Sequence, residues 1–313
     1  MPWNERMGRR LKLRDLYIFK TVARLGSMGK AAIQLAVSPP VISKAITDLE
    51  HMLGVRLLER SRQGVEPTRY GRALLKWSST VFDDLKQGVE EIDSLADPSR
   101  GEVRISTGEG MPAGLVSAVI DRLFRQYPRL VFSVTQAATN ALQYRDLRER
   151  SVDLIFGRLV TPIEEEDDLS TEVLFEDRFS VVAGVSSKWL RRGSIELAEL
   201  IDEPWCLQGG PIGSAVAGAL HARGFDAPRQ VVRTNSIQLI SALLATGHFL
   251  SIMPTSRLRL SGKRLGLRPL KVDLQLPSSH IGLVTVKNRT ISPVAKLFIA
   301  CARNVAKSFA KKE

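Results

Sequence analysis

A chain of 313 residues with 44% hydrophobic composition is long enough for two or three domains and apolar enough to give each a core, yet no apolar run approaches the roughly 18 residues of a membrane span, so no membrane partner is expected. The formal net charge of +12 favours a polyanionic partner. The two cysteines, Cys206 and Cys301, exclude a disulfide framework, and the basic start lacks the apolar stretch of a secretory signal, so a reducing, cytoplasmic setting is expected.

Nine of the twelve net positive charges fall between Glu5 and Lys76, as in a nucleic-acid-binding end. Asp15 to Leu25 places Leu16, Phe19, Val22 and Ala23 on one helical face, closed by Gly26. Ser27 can cap a second helix whose Ala31, Ala32 and Leu35 face inward. Ser38 with Pro39 and Pro40 reads as a third helix start, which turns Ile42, Ala45, Ile46 and Leu49 inward and Ser43, Lys44 and Thr47 outward. Ser38, Pro39, Pro40, Ser43, Lys44 and Thr47 are thus the candidates for a DNA major groove. The amino end of this helix is expected to offer free N–H groups to a phosphate. Beyond Gly54, the segment Val55–Leu58 reads as a strand that pairs with Val65 across a basic turn. There Arg60 and Arg62 would touch backbone phosphates.

These residues resemble the LysR-type transcriptional regulators. The shared pattern is Gly26-Ser27, Ala31-Ala32, Leu35, Ser38-Pro39-Pro40, Ser43-Lys44, Leu49-Glu50, Gly54, Leu57-Leu58-Glu59-Arg60 and Thr68-Arg69-Tyr70-Gly71. The chain departs from it at Pro39, where the family often has a DNA-touching Gln, at Lys44, where Arg is common, and at Leu58, usually Phe. The resemblance implies a winged helix-turn-helix over residues 11–68, with the helix-turn-helix itself at 27–46. It also implies double-stranded DNA as partner, with a pseudo-palindromic operator.

From Arg69 to about Ala96, Leu75, Ser78, Phe82, Leu85, Val89, Ile92 and Ala96 recur by threes and fours. That is a heptad seam suited to helix pairing between chains. The resemblance assigns residues 69–96 to a linker helix that makes a homodimer or homotetramer. Asp97 to Gly101 then breaks the helix.

From Glu102 onward strands and helices alternate, which implies parallel α/β sheets. The strands are read at Val103–Ser106, Val131–Val134, Leu154–Phe156, Phe179–Ala183, Trp205–Leu207, Val231–Val232, Leu250–Ile252 and Ile281–Val286. Two lobes are expected, about 102–174 with 276–309 and about 175–275, together an effector domain over 102–309. This part resembles the periplasmic-binding-protein-like effector domain of the same family. The resemblance implies a small effector between the lobes, near Thr107, Gly110, Met111, Thr139, Asn140, Gln208, Gly209 and Asn235. Hydroxyls, amides and helix amino ends suit an organic acid or a sugar.

No catalytic constellation emerges, and the scattered His51, His221, His248 and His280 lack metal-ligand spacing. Neither a metal nor another cofactor is expected, nor an enzyme. A transport-type solute-binding protein is the alternative, and the helix-turn-helix and missing signal segment argue against it.

Overall fold

The computed structural model describes residues 11–61, 64–97, 99–108, 111–137, 139–159, 167–225, 228, 230–273 and 276–310. The chain divides into two compact units, before and after the Val89–Glu90 bond.

The first unit is a three-helix core with a two-stranded wing. Helices α1 (Leu13–Leu25), α2 (Met28–Gln34) and α3 (Pro39–Leu53) are followed by β1 (Leu58–Ser61) and β2 (Gly64–Pro67), then by the long helix α4 (Arg69–Ala96). Leu16, Phe19 and Val22 of α1 meet Ala31 and Ala32 of α2 and Ile42, Ile46 and Leu49 of α3 in one buried cluster. Two of the helices end at the glycines their sequence supplies: α1 and α3 stop at Gly26 and Gly54, both left-handed with φ of 62° and 70°, a conformation that glycine adopts without a steric cost. The strand β1 begins later than Val55, because the Leu57 and Leu58 N–H groups donate to the Glu50 side chain, at 2.7 and 3.2 Å, before pairing with β2 starts at Leu58↔Pro67. The Thr68 hydroxyl donates to the Arg56 carbonyl and accepts from the Gly71 N–H, which fastens the start of α4 to the wing. A Cβ on Gly71 would lie 2.1 Å from the Leu57 carbonyl oxygen, so only glycine allows this approach.

The heptad seam expected on α4 is divided in use. Leu75 and Phe82 pack on the three-helix core, with the Phe82 ring edge-on to Tyr17 at 5.4 Å, and Ser78 is buried, its hydroxyl donating to Leu74. Leu85, Val89 and Ile92 are exposed, in company with Trp77, Val81 and Leu95.

The second unit holds two five-stranded sheets. The first is built from β3 (Gly101–Thr107), β4 (Leu130–Gln136), β5 (Leu154–Arg158), β6 (Leu169–Asp177) and β12 (Ser279–Val286) in the order β4-β3-β5-β12-β6. The second is built from β7 (Phe179–Gly184), β8 (Trp205–Leu207), β9 (Val231–Arg233), β10 (Leu250–Pro254) and β11 (Leu267–Pro269) in the order β11-β7-β10-β8-β9. Strands β3, β4 and β5 run parallel, as do β8, β9 and β10. Helices α5 (Ser117–Gln126), α6 (Asn140–Arg148) and α10 (Pro293–Ala310) cover the first sheet. Helices α7 (Gly210–Ala222) and α8 (Ile237–Ala245) belong to the second, together with the single turn α9 (Thr255–Arg257). The segment expected to begin α5 is instead a π-helical turn, Pro112–Val116. Val103, Ile105, Leu154, Phe156 and Phe298 centre the first core, and Val181, Leu200, Trp205 and Leu250 the second. The chain passes from one sheet to the other at Arg178 and returns between β11 and β12. No helix among the described residues is long and apolar enough to cross a membrane.

Candidate DNA-binding face and interlobe site

On α3 the inward and outward faces separate cleanly. Ile42, Ala45, Ile46 and Leu49 are buried, while Lys44 and Thr47 are exposed and Ser43 is half-buried. The core fixes the helix from behind and leaves one polar and cationic stripe to solvent. Thr47 donates its hydroxyl to the Ser43 carbonyl at 2.9 Å, so toward any partner it acts as an acceptor.

The amino end of α3 differs from expectation in two respects. Ser38 occupies the cap position but makes no side-chain cap hydrogen bond, because the residue that would donate from the second helical position is Pro40, which has no N–H. The third-position N–H, from Val41, goes to the Ser38 carbonyl at 3.0 Å, as does the longer bond from Ile42. With Pro39 and Pro40 also lacking donors, the expected set of free N–H groups for a phosphate is not present. What remains there is the exposed Ser38 hydroxyl beside two exposed proline rings.

Arg60 lies in β1 opposite Val65; its side chain, and Arg62 altogether, lie outside the described residues. One residue was missed by reading the sequence. Ile33 on α2 is 83% exposed, although it is a large aliphatic side chain in a well-packed bundle. The signal was its position off the face set by Ala31, Ala32 and Leu35.

In the second unit the candidate effector residues are not equivalent. Thr107 ends β3 fully buried, and its hydroxyl has no hydrogen-bond partner; the same holds for Ser106. Met111 is a correction: its side chain is 8% exposed within the first hydrophobic core, so it packs the lobe instead of lining a site. Thr139 caps α6 by accepting from the Leu142 N–H. Asn140 is the first residue of α6, its side chain outside the described features, and Gly110 also lies outside the described residues. Gln208 and Gly209 stand between β8 and α7, and the Gly209 N–H donates to Asn235 Oδ1 at 3.0 Å, which brings three of the expected residues together. Gln208, Gly209, Gly213, Ser214 and Arg233 line a depression of about 310 Å³ in the second lobe.

Where the chain crosses between the sheets, charged groups are withdrawn from water. Asp177, the last residue of β6, accepts from the Ser256 hydroxyl at 2.6 Å and the Ser256 N–H at 3.0 Å. Arg158, the last residue of β5, places Nη2 3.7 Å from Asp177 Oδ2 and lies over the Phe179 ring at 5.0 Å. Burial pushes the Asp177 carboxyl above its ordinary range, against the pull of Ser256 and Arg158, and pushes the Arg158 guanidinium down. Neither residue was among the sequence candidates, because an Arg at a strand end and an acid before another strand carry no motif.

Among the described residues, no group of His, Cys, Asp or Glu could hold a metal ion. Cys206 and Cys301 are buried and unpaired, with both thiols pushed up by desolvation.

Residues 13–72 match the model of the bacterial regulatory helix-turn-helix protein, lysR family, and residues 96–307 match the LysR substrate binding domain. The chain is 28% identical over 309 residues to the HTH-type transcriptional regulator GbpR of Azospirillum brasilense, covering 96% of this chain and 89% of that one. It is also 28% identical over 294 residues to the regulator TdcA of Escherichia coli K12, covering 93% and 92%. Among solved structures it is similar to a full-length OxyR variant from Pseudomonas aeruginosa, with a TM-score of 0.63 and 20% identity over 94% of this chain and 95% of that one. Full-length CbnR complexed with its target DNA gives 0.61 and 20% over 94% and 99%. With both domain models matched in order, and together spanning most of its length, the chain belongs to the LysR family of DNA-binding transcription regulators.

Proposed function

We propose that this regulator reads its operator with the outward face of α3, where Ser43, Lys44 and Thr47 meet base edges and Ser38, Pro39 and Pro40 abut the backbone. The observation that carries this is the separation of faces on α3: a fully buried apolar side and an exposed stripe holding a lysine. Arg60 and Arg62 on the wing supply phosphate contacts, and Ile33 adds an apolar contact of the kind a thymine methyl accepts. With a lysine in place of the arginine usual in the family, bidentate guanine reading is not available, so sequence preference rests more on hydroxyls and on DNA shape.

The same reading makes the protein a cytoplasmic homo-oligomer joined through α4, acting by binding and not by catalysis. Two DNA-binding units per dimer suit a pseudo-palindromic operator. A small effector held between the lobes near Thr107, Thr139, Asn140, Gln208, Gly209 and Asn235 shifts the balance of states only to the extent that it prefers one of them. Residues 11–68, 69–96 and 102–309 are the three working parts. The helix-turn-helix match disfavours the transport-type alternative.

Lys44→Ala tests the reading. Against duplexes selected by the full-length protein from a random pool, its affinity should fall by roughly tenfold to hundredfold, the cost of one base-edge contact, with melting temperature and oligomer size unchanged. Equal binding of mutant and wild type at physiological salt would remove Lys44 from the interface.

A further inference from the structure

The register of the first sheet puts a row of polar side chains on one face, just past the end of its apolar core. Ile105 pairs with Leu154 and Ser106 with Ile155 in the parallel β3–β5 ladder, so Thr107, Phe156 and Arg158 share a face. Ile281 pairs with Arg158 and with Phe175, and Ser279 pairs with Asp177, which extends the same face to Ser279 and Asp177. Thr107 and Arg158 are therefore one strand apart and two residues along, about 8 Å between Cα atoms. Both stand at the carboxyl ends of parallel strands, where open α/β sheets take their ligands.

The hydrogen-bonding capacity of this row is unbalanced. Asp177 already accepts twice from Ser256. Its distance to Arg158, 3.7 Å, is too long for a hydrogen bond, and the Arg259 charge bears on the same carboxylate. Arg158 Nη1 is buried with no acceptor, and the Thr107 hydroxyl is buried with no partner. A guanidinium stays cationic in a protein, and a buried cation short of acceptors is costly. A carboxylate supplies two coplanar acceptors that match the guanidinium fork and a third lone pair for a threonine hydroxyl. A neutral sugar would leave the charge uncompensated.

We propose that Arg158 and Thr107 form an anion subsite that takes the carboxylate of the effector, so that the effector is an organic acid and not a neutral sugar. This rests on the reading that the effector lies between the lobes.

The test uses the full-length protein and thermal melting with acetate, pyruvate, succinate and benzoate, each beside its amide at matched ionic strength, with inorganic phosphate and glucose as contrasts. At least one carboxylate should raise the melting temperature where its amide does not. Titration of that acid should weaken roughly tenfold to hundredfold in Arg158→Gln, as expected for lost bonds to a charged group, and less in Arg158→Lys. Thr107→Val should weaken binding while raising the melting temperature of the unliganded protein, since it removes an unpaired buried hydroxyl; this variant and Arg158→Lys decide the matter if Arg158→Gln does not fold. Stabilisation by glucose or phosphate alone, by none of the probes, or equal titration of Arg158→Gln and wild type overturns the subsite. If Arg158→Gln is silent while Asn235→Ala weakens the acid, the subsite fails and the cleft stands. If a bound acid ignores Arg158, Thr107 and Asn235 alike, the cleft reading itself fails.

Discussion

Glu50 shows how one side chain can set the geometry of a DNA-binding module. It sits near the end of α3 with its carboxylate turned toward the start of the wing, where it accepts the N–H groups of Leu57 and Leu58. Those two residues are buried, and without Glu50 their donors would lack a partner in the turn. Hydrogen bonds to an ionised acceptor contribute about 1.5–3 kcal/mol, so Glu50→Ala should lower the melting temperature of the protein by several degrees and Glu50→Gln by less. A melting curve identical to wild type for the alanine variant would show that the wing is held by other contacts. The Leu-Glu step was visible in the sequence as a family motif. Its reason was not, since the partners lie seven and eight residues away, beyond any helical spacing. Ser38 shows the reverse: its cap role reads naturally from the sequence, and two prolines cancel it by removing the donor that a cap needs.

At the scale of the element, α4 is the informative case. A heptad pattern says that a helix has an apolar seam, but not which partner covers it. Here Leu75 and Phe82 are used within the first unit, and Leu85, Val89, Ile92 and Leu95 are left exposed on the later turns. An exposed aliphatic row of this length is suited to another copy of the helix. Val89→Asp should therefore reduce the oligomer to smaller species in light scattering after size exclusion, with helix content by circular dichroism retained; an unchanged mass would place the oligomer contact elsewhere. Two strands went unread in the sequence, β6 and β11. The first is an edge strand with alternating charges, Glu172 and Glu176 among them, and its pairing with β12 carries a register shift at Ile281/Gly282. The second has only three residues. Neither has the apolar run that marks a central strand.

At the scale of the whole molecule, the crossing between the sheets of the second unit is where charge and burial meet. Asp177 holds the end of β6 to Ser256 of α9, and burial raises its carboxyl above the ordinary value of 3.8. For a carboxyl raised on folding, the stability it contributes is complete below the unfolded value and is lost as pH rises through the higher folded value. Asp177→Asn can still accept from Ser256 but cannot ionise. Its melting temperature relative to wild type should become more favourable as pH climbs from about 4 toward neutrality. A difference that stays constant across that range would show that the raised carboxyl does not shape stability.

The sequence alone determined the helix-turn-helix, the linker pattern, the alternation of strands and helices, and hence the family. Those are local signals: caps, glycine stops, periodic faces and fixed motif spacing are set by residues within a turn or two of one another. Tertiary structure decided what depends on residues far apart in the chain. It placed Met111 in a core, divided the α4 seam between two uses, and removed free donors from the start of α3. It also set Arg158 from β5 beside Asp177 from β6 and on the face of Thr107 from β3. Desolvation and unpaired hydrogen-bonding groups exist only once the sheet has formed, so the polar row at its carboxyl edge had no counterpart in the sequence.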